Sequence, residues 1–90
     1  MDTRIRALEA YLVASARAGD TRALSRLVEL RGGRLMAHAV RLLGDREVAR
    51  DVVQEAWVEI LRGLRTLRDD PAFLPWALGV AARRVAREIR

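Results

Sequence analysis

Asp51, Gln54 and Glu55 fall close together in the stretch Asp51-Val-Val-Gln54-Glu55-Ala-Trp57. Two carboxylates one helical turn apart could take part in proton chemistry or pair with basic groups on a partner. Proton chemistry would require a second titratable group arranged to tune them, and none is in evidence. His38 is the only histidine and cysteine is absent, so neither a histidine-based metal cluster nor a Cys–His pair can form. His38 itself reads as a helix residue, partly buried or at the surface. Gly32-Gly33 lacks the residues that would flank it in a phosphate-binding loop. With no catalytic set, no metal site and no cofactor motif, Asp51, Gln54 and Glu55 read either as a docking surface or as a solvated helix face.

A second group lies near the C-terminus. Trp76, Val80, Arg83, Arg87 and Arg90 recur along one ridge of a helical pattern. An aromatic ring followed by guanidinium groups can stack on a base and contact phosphates. The same residues have a plainer reading. Trp76 could pack back onto the protein, and arginines near a helix C-terminus are favoured by the helix dipole.

Helical elements must position both groups. Val48, Val52, Val53, Ala56, Trp57, Ile60, Leu61 and Leu64 recur at helical spacing. At about 100° per residue most of them share one broad face. Asp51, Gln54, Glu55 and Arg62 fall on the opposite face, with Val58 exposed among them. A polar face with an apolar residue in its middle suits docking on another protein, although solvated helix faces have a similar composition.

The whole chain reads as four helical segments without a strand signal. The first runs from Thr3 to Ala18, with Ile5, Leu8 and Leu12 as its inward stripe. Gly19-Asp20 stops it and caps the next. The second runs from Thr21 to Leu43, with Leu24, Leu27 and Val28, then Leu35, Ala39, Leu42 and Leu43, facing inward. Gly32-Gly33 predicts a kink or short break there, at roughly 1 kcal/mol per glycine against alanine. Gly44-Asp45 is the next stop and cap, and the third segment runs from Arg46 to Leu64. A loop from Arg65 to Pro71 follows, with Asp70 as N-cap. The regular part of the fourth helix is expected to begin near Pro75, with Leu78, Ala81, Ala82, Val85 and Ile89 facing inward. The fold class is all-α, a compact bundle of about four helices.

Composition agrees with one folded domain. Hydrophobic residues make up 51% of 90 residues, enough for a modest core. No apolar run approaches the roughly 20 residues of a membrane span, and the N-terminus lacks a signal-peptide core. The absence of cysteine is compatible with a reducing compartment, and a cytoplasmic location is expected. All 17 basic residues are arginine and the net charge is +5. Residues 1–61 hold ten Arg against nine acids, whereas residues 62–90 hold seven against three. The basic excess sits at the C-terminal end and suits a polyanion.

Taken in order, these blocks resemble region 2 of a sigma-70 family RNA polymerase sigma factor of the extracytoplasmic-function (group IV) type. Leu12-Val-Ala-Ser-Ala-Arg17-Ala-Gly19-Asp20 resembles the family's opening helix and its Ala-Gly-Asp turn. Arg41-Leu-Leu-Gly44-Asp45 resembles the end of its second helix. Asp51-Val-Val-Gln54-Glu55-Ala-Trp57 resembles its Asp-x-x-Gln-Glu-x-aromatic motif. Ala72-Phe73-Leu-Pro-Trp76-Ala-Leu-Gly-Val80-Ala81 resembles its Phe-x-x-Trp-Leu-Tyr-x-Ile-Ala helix.

The resemblance implies a transcription initiation module, not an enzyme. Its third helix would dock on the clamp helices of the RNA polymerase β′ subunit through Asp51, Gln54 and Glu55, to which helical geometry adds Val58 and Arg62. The loop from Arg65 to Leu74 and the start of the fourth helix would recognise the promoter minus-ten element and capture a base flipped from the non-template strand. Leu67 and Phe73 are then candidate pocket walls, with Trp76 as a stacking ring. Arg65, Arg68, Arg83 and Arg87 are candidate polar or phosphate contacts. Phe73 could instead fill the core beneath the loop. An anti-sigma factor is a further implied partner.

Some positions depart from the family pattern. Leu78-Gly79 stands where many members have Tyr-Arg, Arg83 near a common asparagine, and Gly32-Gly33 where an aromatic residue with Ala-Pro is usual. These changes bear on minus-ten recognition and leave the docking motif intact. They keep open a second reading, a sigma-like decoy that binds an anti-sigma factor without opening promoters. Family members continue into a second helical domain that reads the minus-thirty-five element. Residues 1–90 read as region 2 alone, expected to be one domain of a longer protein rather than a naturally short relative.

Overall fold

Two Gly-Asp pairs punctuate the chain and set its first three helices. A computed structural model describes residues 3–67 and 73–89. Helix α1 spans Thr3–Arg17, α2 Thr21–Leu43, α3 Arg46–Gly63 and α4 Phe73–Ile89, with a 3₁₀ turn at Leu64–Thr66. Gly19 and Gly44 have φ of +104° and +71°, a region where a side chain would be strained. The following aspartates cap the next helix in the same way. Asp20 Oδ1 accepts from the N–H groups of Arg22 and Ala23 at 2.9 and 3.2 Å. Asp45 Oδ1 accepts from Glu47 and Val48 at the same two distances. Each cap satisfies backbone donors that a helix start otherwise leaves unpaired.

Helix α2 is the spine of the bundle, with α1 on one side and α3 and α4 on the other, and α3 also packs on α4. Leu27, Leu35, Ile60, Phe73, Val80 and Val85 lie at the centre of the core. The radius of gyration, 12.9 Å, is near the roughly 12 Å of a compact chain this long. Among the described residues there is no strand, and no helix is long and apolar enough to cross a membrane.

Several expectations change, and Leu42, expected to face inward on α2, is exposed. The glycine pair does not break α2, which runs without interruption through Gly32 and Gly33. The buried residues Leu27, Arg31, Leu35 and Ala39 continue one stripe across it, and packing of that stripe outweighs the low propensity of two glycines. Secondly, the inner face of α1 is turned by roughly 60° from the expected one, at about 100° per residue. Its buried residues are Glu9, Leu12 and Val13, whereas Ile5 and Leu8 are exposed. The face turned inward buries Val13 and carries an ion pair. Arg31 Nε donates to Glu9 Oε2 at 2.6 Å, and the two residues are only 7% and 5% exposed. Burying Glu9 brings its side of the helix inward.

Thirdly, α4 begins at Phe73, two residues before Pro75. The proline still falls in the first turn, where its missing N–H costs nothing. The helix packs against both α2 and α3, so its buried face is broad and takes in Phe73, Ala77, Val80, Ala81 and Val85. Val80, expected on the arginine ridge, is in the core, and Ile89, expected inside, is exposed. The 3₁₀ turn begins at Leu64, so α3 ends one residue earlier than its periodicity predicts. Arg68, Arg90 and the expected cap at Asp70-Pro71 lie outside the described residues.

Candidate functional site

The periodicity of α3 places its polar residues as expected. Val52, Val53, Ala56, Trp57 and Ile60 are buried on the inner side. Asp51, Gln54, Glu55, Val58 and Arg62 are all exposed on the outer side. Val58 is 48% exposed, an apolar group in the middle of a hydrophilic ridge.

This ridge is tied to α4, which the sequence reading missed. Arg84 Nε donates to Glu59 Oε1 at 3.1 Å, and Arg84 Nη1 lies 3.4 Å from Glu55 Oε1. Arg83 Nη2 approaches Glu59 Oε2 at 3.7 Å. The available signal was the spacing of Asp51, Glu55 and Glu59 at successive turns, matched by paired arginines at 83 and 84. Exposed pairs of this kind contribute at most about 1 kcal/mol each. Their consequence is orientation, since one carboxylate of the exposed ridge and the arginine-bearing edge of α4 are held together.

The residues expected to meet DNA separate into distinct environments. Arg83 and Arg87 are exposed one turn apart on α4, and Arg65 is exposed at the 3₁₀ turn. Leu67 is half-buried against the core. Phe73 is fully buried, so its ring offers no face to a base and belongs to the core. The reason is its position as the first residue of α4, on the side packed into the bundle. Trp76 is half-buried, with its ring edge-on to Phe73 at a centroid distance of 6.1 Å and an interplanar angle of 61°.

The indole also lies across Gly63, at the end of α3. A Cβ added there would stand 2.7 Å from Trp76 Cζ2 and 2.9 Å from Cη2. Gly63→Ala is therefore expected to displace the indole and destabilise the fold by about 1–3 kcal/mol. A thermal melt, read beside tryptophan emission, checks both parts. An unchanged melt and spectrum would show that the contact is not tight.

Among the described residues no group of three His, Cys, Asp or Glu side chains could hold a metal ion. His38 is half-buried on α2, with Nδ1 3.5 Å from Arg41 Nη2. The exposed groups of α3 and α4 can make charged and hydrogen-bonded contacts. They do not assemble a nucleophile, a base and its orienting partner.

Residues 27–90 match the family model described as Sigma-70 region 2, a stretch that covers most of α2 and all of α3 and α4. The chain is also similar to the RNA polymerase sigma-H factor of Pseudomonas aeruginosa, at 36% identity over 70 residues. That alignment covers 78% of this chain and 36% of the relative, so the chain spans about a third of that protein's length. No solved structure matches it. The family match over most of the chain, an all-helical bundle and the identity to a sigma factor agree, and the chain belongs to the sigma-70 family as a region 2 domain.

Proposed function

We propose that this domain acts in transcription initiation as the region 2 of an extracytoplasmic-function sigma factor. It docks on the clamp helices of the RNA polymerase β′ subunit and recognises the melted promoter minus-ten element as single-stranded DNA. The observation that carries the docking is the continuous exposed face of Asp51, Gln54, Glu55, Val58 and Arg62 on α3. Carboxylates and an amide there can pair with basic residues of a coiled coil, which gives orientation and partner choice more than raw affinity. The half-exposed Val58 supplies an apolar contact at the centre. On the DNA side, Arg65, Arg83 and Arg87 remain as exposed phosphate or base contacts, with the open part of Trp76 as a stacking surface.

The test is binding of the purified domain to a β′ clamp-helix fragment. Glu55→Arg is expected to weaken binding by at least about tenfold, or 1.4 kcal/mol, while far-UV circular dichroism stays unchanged. Arg84→Ala removes the ion-pair partner of Glu55 without reversing the ridge charge, and should retain most of the affinity. Unchanged binding by a folded Glu55→Arg variant would reject the docking face.

The placement of Phe73 in the core favours a second reading. It leaves fewer groups for a base pocket, as would suit a sigma-like decoy that binds an anti-sigma factor without opening promoters. Retained protein binding with no affinity for a minus-ten-like single strand would favour the decoy.

A further inference from the structure

The C-terminal half of α2 carries charge that neither face described above uses. From Leu30 to Gly44 the chain has no acidic residue. Arg31 in this span is buried against Glu9, but Arg34 and Arg41 are exposed. Neither makes an ion pair among the described residues. They stand seven residues apart on one side of α2, about 10 Å along its axis at 1.5 Å per residue. His38 lies between them.

The three residues line a hollow of about 350 Å³ with Ala37 and with Leu78 of α4. Arg41 also borders a second hollow, of about 480 Å³, together with Arg46 at the start of α3. His38 Nδ1 lies 3.5 Å from Arg41 Nη2. His38 Nε2 is buried and has no hydrogen-bond partner among the described residues.

We propose that the Arg34–His38–Arg41 ridge is a nucleic-acid backbone site, at which Arg34 and Arg41 neutralise phosphates of promoter DNA. It is separate from the arginines of α4. The proposal rests on the reading that this domain meets DNA, and adds a second surface on which it does so. Two guanidinium groups two turns apart suit an extended chain of phosphates better than one small anion. Over that length duplex DNA presents several charges, at about one per 1.7 Å. No carboxylate on this part of α2 would repel them. Exposed arginines that make no ion pair among the described residues can approach phosphate without breaking a salt bridge.

The experiment is fluorescence anisotropy of the 90-residue chain with a labelled duplex carrying a central single-stranded bubble, between roughly 50 and 200 mM salt. For the Arg34→Ser/Arg41→Ser variant, the slope of log K against log salt should fall in magnitude by about 2, at about 0.9 for each lost phosphate contact. Arg34→Lys/Arg41→Lys should restore most of it. Both positions are exposed, so circular dichroism and binding to the β′ fragment should not change.

An unchanged slope in the folded double variant overturns the proposal. A parallel Arg83→Ser/Arg87→Ser variant separates it from the function proposed above. If only that variant loses slope, the α2 site falls and the α4 interface stands. If only the α2 variant loses slope, the reverse holds. Absence of salt-dependent binding by the wild type overturns both. Displacement of DNA by polyglutamate at equal charge concentration would mark the ridge as a surface for acidic protein, and would also overturn the proposal.

Discussion

Glu9→Ala is expected to destabilise the domain by about 3–5 kcal/mol, because it leaves the Arg31 guanidinium charged and unpaired inside the protein. The pair joins α1 to α2 across 22 residues of sequence at 2.6 Å. Its side chains are 7% and 9% exposed, so water cannot replace the lost carboxylate at little cost. A small domain commonly has only about 5–15 kcal/mol of stability in total. The loss should therefore appear as a large fall in the urea midpoint, or as detachment of α1. A paired replacement, Glu9→Leu/Arg31→Met, should recover most of the loss, since apolar groups of similar size can match a buried ion pair. If the single variant melts like the wild type, water reaches the pair and it is a surface contact.

Phe73→Ala is expected to cost a similar amount, about 3–5 kcal/mol, by opening a cavity where α4 begins. Phe73 is among the largest side chains with no exposed surface. Its ring also supports the edge of Trp76, so truncation removes packing from two aromatic groups. For a domain of this size the melting temperature should fall by on the order of 15 °C or more. Below the new melting temperature, affinity for a minus-ten-like single strand should change little. A variant with normal stability and lost DNA affinity would return Phe73 to the base pocket. Arg83 and Arg87 are exposed, and their removal should show the opposite pattern, an intact fold with weaker binding.

These expectations depend on contacts that the sequence alone does not place. The helices were legible because their signals are local. Gly19-Asp20 and Gly44-Asp45 act within one turn, through a positive φ and a carboxylate that caps nearby N–H groups. The face of α3 was legible for the same reason. Its apolar residues recur at a single helical period, so burying one side exposes Asp51, Gln54, Glu55, Val58 and Arg62 on the other. The family was legible from blocks lying in the right order along the chain, and residues 27–90 match it.

The rest was decided between helices. Periodicity ranks the faces of a helix by hydrophobicity, but it does not count how many neighbours the helix will have. Helix α4 touches both α2 and α3, so Val80 is buried despite sharing a ridge with arginines. Helix α1 buries a charged residue, Glu9, which a hydrophobic pattern assigns to solvent. The ion pairs from Arg83 and Arg84 to Glu55 and Glu59 depend on how two distant segments align. Where helices start, where they stop and which side of α3 faces out can be read along the chain, because these follow from interactions spanning a turn or two. That Phe73 is core, that Glu9 is buried and that Arg34 and Arg41 make no ion pair among the described residues was settled by packing between helices, because burial and charge pairing depend on groups far apart in the chain.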